Sequence, residues 1–141
     1  LPGVWSGFST RWYKLLFENE TLLSAVLTSF RVAATTATLA VILGTLAAVS
    51  MTRKKTFQGR TLFSGLISAP LIMPEVITGL ALLLTFVTLE RLIGWPSQRG
   101  IMTVTIAHTT LSMAYVYVIV HSRLQDFDKS LEEAALDLGA K

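Results

Sequence analysis

Glu75 is the residue in this chain whose setting most demands an explanation. It stands in an apolar run directly after Pro74, four residues beyond Pro70 and just past Met73. An ionised carboxylate at mid-membrane depth costs at least ~2.5 kcal/mol on insertion scales, so such a residue is buried in protein or lines a wet path. Two readings follow. Glu75 caps a half-helix or pairs with a cation elsewhere, or it faces a route taken by a cationic solute. A second polar set, Thr105, His108, Ser112 and Tyr115, recurs at helical spacing in a later apolar run. His108 there reads first as a neutral, hydrogen-bonded core histidine and second as a substrate ligand or proton relay. No second histidine or acid stands near it at metal-ligand spacing, so no metal site is expected. A third set closes the chain. Ser130 can cap a short helix, Glu133 can reach back to the cap, and Gly139 supplies a left-handed stop. Leu131, Ala134, Ala135 and Leu138 share one apolar face of that helix. Two turns are marginal alone in water, so the face needs a partner.

The elements that must carry these residues are read from hydropathy. Of 141 residues, 52% are hydrophobic and only 15% charged, against about 25% charged in soluble domains. The deficit is concentrated in long apolar runs, which predicts an all-α integral membrane protein. There is no cysteine, which excludes a disulfide scaffold and a thiolate metal site. No Walker loop, nucleophile elbow or dinucleotide fingerprint is present, so no enzyme and no cofactor is expected. The net charge of +3 needs no nucleic-acid partner, because the cations cluster beside an apolar segment. No repeat is evident, and the chain begins with Leu rather than Met. It reads as an internal piece of a longer protein.

In order, residues 1–23 mix aromatic and polar side chains. Ser9 or Thr10 can cap a short helix over residues 11–17, suited either to the headgroup layer or to an ordinary protein surface. A first span is expected over 24–51, with Ala33, Ala37, Ala40, Gly44 and Ala48 as a narrow small-residue face that permits close helix contact. Arg31 near its start can snorkel to the interface. Residues 52–61 hold Arg53, Lys54, Lys55 and Arg60 with no acid, which marks a cytoplasmic loop. A second span over 62–89 is expected to break at its two prolines, into pieces at 62–69 and 76–89, with Pro74 opening the second piece and Glu75 at its positive end. Residues 90–100 form an outside loop, 101–120 a third span, and 121–141 a cytoplasmic tail carrying the terminal helix.

Glu133-Ala134-Ala135, three residues, then Gly139, after a long apolar run, resembles the cytoplasmic coupling loop of the permease subunits of bacterial ABC importers. The stretch from Ala69 to Gly79 is similar to one in polyamine permeases. Ser9-Thr10-Arg11-Trp12-Tyr13, Leu43 to Ala48 and Gly94-Trp95-Pro96 extend that likeness toward the putrescine and spermidine permeases. The resemblance implies a type I importer fold whose complete subunit has six spans, one before Leu1 and two after Lys141. It implies an inner-membrane protein that works with a separate ABC ATPase subunit, a second permease subunit and a periplasmic substrate-binding protein, by alternating access. Glu133, Ala134, Ala135 and Gly139 would then couple to the ATPase, with Glu75, Pro74, Met73, His108 and Tyr115 on the substrate route. A permease for another solute, such as iron or sulfate, and a non-transporting three-span scaffold are the alternatives. An anion importer is disfavoured by Glu75.

Overall fold

The computed structural model describes residues 7–54, 56–127, 130, 134 and 136–139. Within them the regular structure is helical: α1 (Arg11–Glu18), α2 (Glu20–Arg53), α3 (Arg60–Ile72), α4 (Glu75–Ile93) and α5 (Ile101–Gln125). Three of these, α2, α4 and α5, are long and apolar enough to cross a membrane, and α3 is a shorter apolar helix. The all-α membrane fold expected from composition is therefore what forms.

A single residue separates α1 from α2. Asn19 ends the first helix and caps the second, its side-chain oxygen accepting from the Leu22 N–H at 3.1 Å. Ahead of α1, Ser9 Oγ accepts from the Arg11 N–H, while Thr10 occupies the cap position without a side-chain bond.

The small-residue face of α2 is where the chain packs against itself. Thr36, Ala40, Gly44, Ala48 and Met51 are buried, and α5 is the principal neighbour of α2. A Cβ on Gly44 would lie 2.8 Å from Val116 Cβ and 2.9 Å from the Met113 carbonyl oxygen. The backbones meet there because no side chain intervenes. Beyond this crossing, Ala48, Met51, Ile67 of α3 and Tyr117 form a core, with Val120 and Leu124 against it. Before the crossing, residues 28–41 of α2 face residues 101–116 of α5 across a groove. N-terminal half thus meets N-terminal half, and C-terminal half meets C-terminal half. α2 and α5 run parallel, and the α3–α4 segment returns the chain once between them.

That returning segment differs from expectation in detail. The helix does not stop at Ala69: α3 continues through Pro70 to Ile72. Proline removes only its own N–H, and at the helix end the Met73 N–H still reaches the Ala69 carbonyl at 3.1 Å. The interruption comes instead at Met73 and Pro74, both extended in ψ. Pro74 is the cap rather than the first helical residue, and its carbonyl accepts from the N–H groups of Ile77 and Thr78.

Both connections are held by arginine. At the α2 end, Arg60 Nη2 donates to the Met51 carbonyl at 3.3 Å, placing a cation where the helix carbonyls run out. After α4, Gly94 takes a left-handed turn with φ of 72°. Arg99 then pairs with Glu90 at 2.8 Å, and Trp95 meets Phe86 edge-on with ring centroids 6.2 Å apart.

Candidate functional site

The candidate residues fall at three places. The first is the α2–α5 groove, of about 850 Å³. From α5 it is lined by His108, Ser112 and Tyr115, which follow one another at i, i+4 and i+7 and so share a face. Thr105, the fourth member of that polar set, is not part of the lining; its hydroxyl donates to the Ile101 carbonyl. His108 Nδ1 lies 2.9 Å from the Val104 carbonyl. A carbonyl only accepts, so Nδ1 donates, which leaves Nε2 as the ring's acceptor. The histidine is hydrogen-bonded as expected, yet it is exposed on the groove wall rather than packed in a core. The buried positions of α5, Thr103, Thr109, Ala114 and Tyr117, lie on other faces of the helix.

From α2 the groove receives Thr28, Ser29 and Thr36 among alanines and valines. Sequence reasoning passed over these hydroxyls. Thr28 is turned back onto its own helix, donating to the Ser24 carbonyl. Thr36 is only 7% exposed, and its Oγ1 has no protein partner. The available signal was its position: Thr36 interrupts the Ala33, Ala37, Ala40 face at helical spacing.

The second place is the junction between α3 and α4. Met73, Pro74 and Glu75 are all exposed there. Glu75 opens α4 and is the acid of its first turn, where the helix dipole favours a negative charge. None of the three lines the groove that holds His108 and Tyr115. The residues assigned to one substrate route therefore occupy two separate places within this chain.

The third place is the terminal stretch. Ser130, Ala134, Leu136 and Asp137 are helical, the Leu138 N–H donates to the Ala134 carbonyl at 3.1 Å, and the Gly139 N–H donates to the Leu136 carbonyl at 2.9 Å. Gly139 has φ of 89°, the left-handed stop expected from the sequence, where a side chain would be strained. Leu138 is 90% exposed, so this end of the apolar face is uncovered. Glu133 and Ala135 lie outside the described residues.

Against that geometry, residues 40–141 match the family described as "Binding-protein-dependent transport system inner membrane component". The chain belongs to this family. It is 53% identical over 140 residues to the putrescine transport system permease protein PotI of Escherichia coli, an alignment covering 99% of this chain and 50% of that protein. It is 38% identical over 136 residues to the spermidine/putrescine transport system permease protein PotC of the same organism, covering 96% of this chain and 49% of that protein. The PotC of Haemophilus influenzae is likewise 38% identical over 136 residues, covering 96% of this chain and 50% of its own length. The chain spans about half the length of these relatives. No solved structure matches it. The family and the three apolar helices together make it part of a multi-pass inner-membrane permease.

Proposed function

We propose that this chain is the part of a polyamine ABC importer permease that joins the membrane path to the ATPase, with putrescine as the favoured substrate. The observation that carries the reading is the 53% identity to a putrescine permease, sustained over 99% of the chain. The spermidine/putrescine permeases at 38% widen the substrate class to polyamines. Glu75 is the anion available to such a cation at the start of α4. His108, Ser112 and Tyr115 offer neutral acceptors in the groove.

Orientation follows from charge. Arg53, Lys54, Lys55 and Arg60 hold residues 52–61 on the cytoplasmic side, and the parallel course of α2 and α5 carries residues 121–141 to the same side. The stretch from Ser130 to Gly139, including Glu133, Ala134 and Ala135, then meets an ABC ATPase subunit. Its uncovered Leu138 is the kind of side chain a groove on that subunit would receive. A second permease subunit and a periplasmic binding protein complete the importer. ATP hydrolysis belongs to the ATPase, and the stroke reaches the spans through this stretch.

The test is transport by the full-length subunit in its complete complex, reconstituted in vesicles with ATP inside. Labelled putrescine should accumulate, and hydrolysis should rise when the loaded binding protein is added. Hydrolysis stimulated by ferric iron or sulfate but not by putrescine would assign the complex to another solute.

A further inference from the structure

The amphipathic helix α1 has no role in the reading above, and its surroundings say where it lies. At 100° per residue, Leu15, Trp12, Leu16, Tyr13 and Phe17 sweep an apolar arc of about 200°. Arg11, Lys14 and Glu18 share the remainder. No residue of α1 is buried, and Trp12 is 72% exposed. Among the described elements its main neighbour is α2, and Trp12, Tyr13 and Phe17 stay largely exposed, so the described residues leave much of its apolar arc bare.

The length of α2 decides what covers that arc. Its 34 residues make a rod of about 51 Å, whereas a bilayer with its headgroups is about 40–45 Å thick. Held upright, α2 would push one end into water. The first three turns make that costly, because Leu22, Leu23, Val26, Leu27 and Phe30 are all exposed large apolar side chains. A tilt of roughly 30°, inside the usual range of 0–40°, brings both ends into the headgroup layers. Arg53 and Lys54 then stand at one surface and Asn19 at the other. Since Asn19 alone separates the two helices, α1 is delivered to headgroup depth.

We propose that α1 lies flat on the outer leaflet, its apolar arc in the acyl boundary and Arg11 and Lys14 on lipid phosphates, and that it fixes the tilt of α2. Tryptophan and tyrosine suit this layer, having an apolar body and a polar tip. The two cations against the single Glu18 suit an anionic lipid surface. The choice of leaflet rests on the orientation proposed above; the contact with lipid does not.

The experiment uses the full-length permease complex in nanodiscs containing phosphatidylglycerol, with one spin label at a time at Tyr13→Cys, Phe17→Cys or Lys14→Cys. Oxygen, which partitions into lipid, and a water-soluble nickel chelate serve as collision probes. Labels at 13 and 17 should favour oxygen over the chelate several-fold, and the label at 14 should show the reverse. Equal chelate access at all three positions would overturn the proposal. So would protection at 13 and 17 that arises only when the periplasmic binding protein is added, since the face would then belong to that protein. In sealed inverted vesicles, chelate added only to the cytoplasmic side that still reaches position 14 would overturn the orientation, while lipid burial at 13 and 17 would leave the membrane contact standing.

Discussion

Helices α2 and α4 are both apolar enough to cross a bilayer, yet they behave differently inside this chain. α2 buries five residues, four of them at the regular step Thr36, Ala40, Gly44, Ala48. α4 buries only Phe86, and that ring rests on the Trp95 of the following loop. The difference is shape rather than hydropathy. Lipid is as apolar as leucine, so apolarity alone gives no reason for two spans to touch. A row of small side chains gives one, by letting backbones approach. α4 offers Leu80, Leu83 and Leu84 outward, and its own small residues Ala81, Thr85 and Thr88 stay exposed as well. Apolarity makes a span, and the small residues of α2 permit the close pairing it makes with α5.

Gly44 and Gly79 turn that comparison into an experiment. Gly44→Ala puts a Cβ 2.8 Å from Val116 and 2.9 Å from backbone; the backbone cannot swing aside as a side-chain tip can. Overpacking of this kind costs about 1–3 kcal/mol, so the thermal midpoint of the detergent-solubilised full-length subunit should fall by several degrees. An unchanged midpoint would mean that α2 and α5 do not meet at Gly44. Val116→Ala in the same background should restore part of the loss.

Gly139 is needed for its conformation rather than for space: nothing among the described residues lies within 4 Å of its Cβ position, but its φ is 89°. A left-handed residue other than glycine costs roughly 1–2 kcal/mol. Gly139→Val should leave the spans assembled while reducing ATPase binding or binding-protein-stimulated hydrolysis at least several-fold. Glu133→Ala should do less, a cap contributing ~0.5–2 kcal/mol. Normal stimulated transport by the Gly139 variant would remove this stretch from the coupling path.

At the start of α4, Glu75→Gln keeps size and hydrogen bonding but removes the charge offered to a polycation. Uptake should drop several-fold at low substrate, with basal hydrolysis and assembly retained. Unchanged uptake would make Glu75 a helix-terminal charge only. The smallest effect belongs to Gly79→Ala, with no atom of the described residues within 4 Å of the new Cβ. Its midpoint should stay level or rise slightly, since alanine is the better helix former by ~0.5–1 kcal/mol. A fall as large as that of the Gly44 variant would show that α4 has an equally tight contact of its own.

What could be read before the structure follows the same division. The α2 face was legible because spacing on one helix reports directly what that helix can approach. Gly139 was legible because a glycine after a capped amphipathic turn has a steric reason to be there. Pro70 misled, since a proline weakens a helix at one donor but does not oblige it to end. His108 was expected in a core and lies on a groove wall, as does the overlooked Thr36. A groove between two helices depends on where they cross, and the periodicity of either one alone does not contain that. The separation of Glu75 from His108 and Tyr115 is a consequence of the same kind, set by the break at Met73 and Pro74 rather than by composition.

The parallel pairing of α2 and α5, with the basic loop at one end, underlies both the proposed orientation and the proposed placing of the terminal stretch. Single cysteines at Ser9, Gln58, Ser97 and Gln125 of the full-length subunit, challenged in intact cells and in inverted vesicles with a membrane-impermeant maleimide, test it directly. Ser9 and Ser97 should label only from outside, and Gln58 and Gln125 only from the cytoplasmic face. Labelling of Ser9 and Ser97 from opposite sides would mean that α2 and α5 cross in opposite senses, which the Gly44 crossing and the core beyond it do not permit.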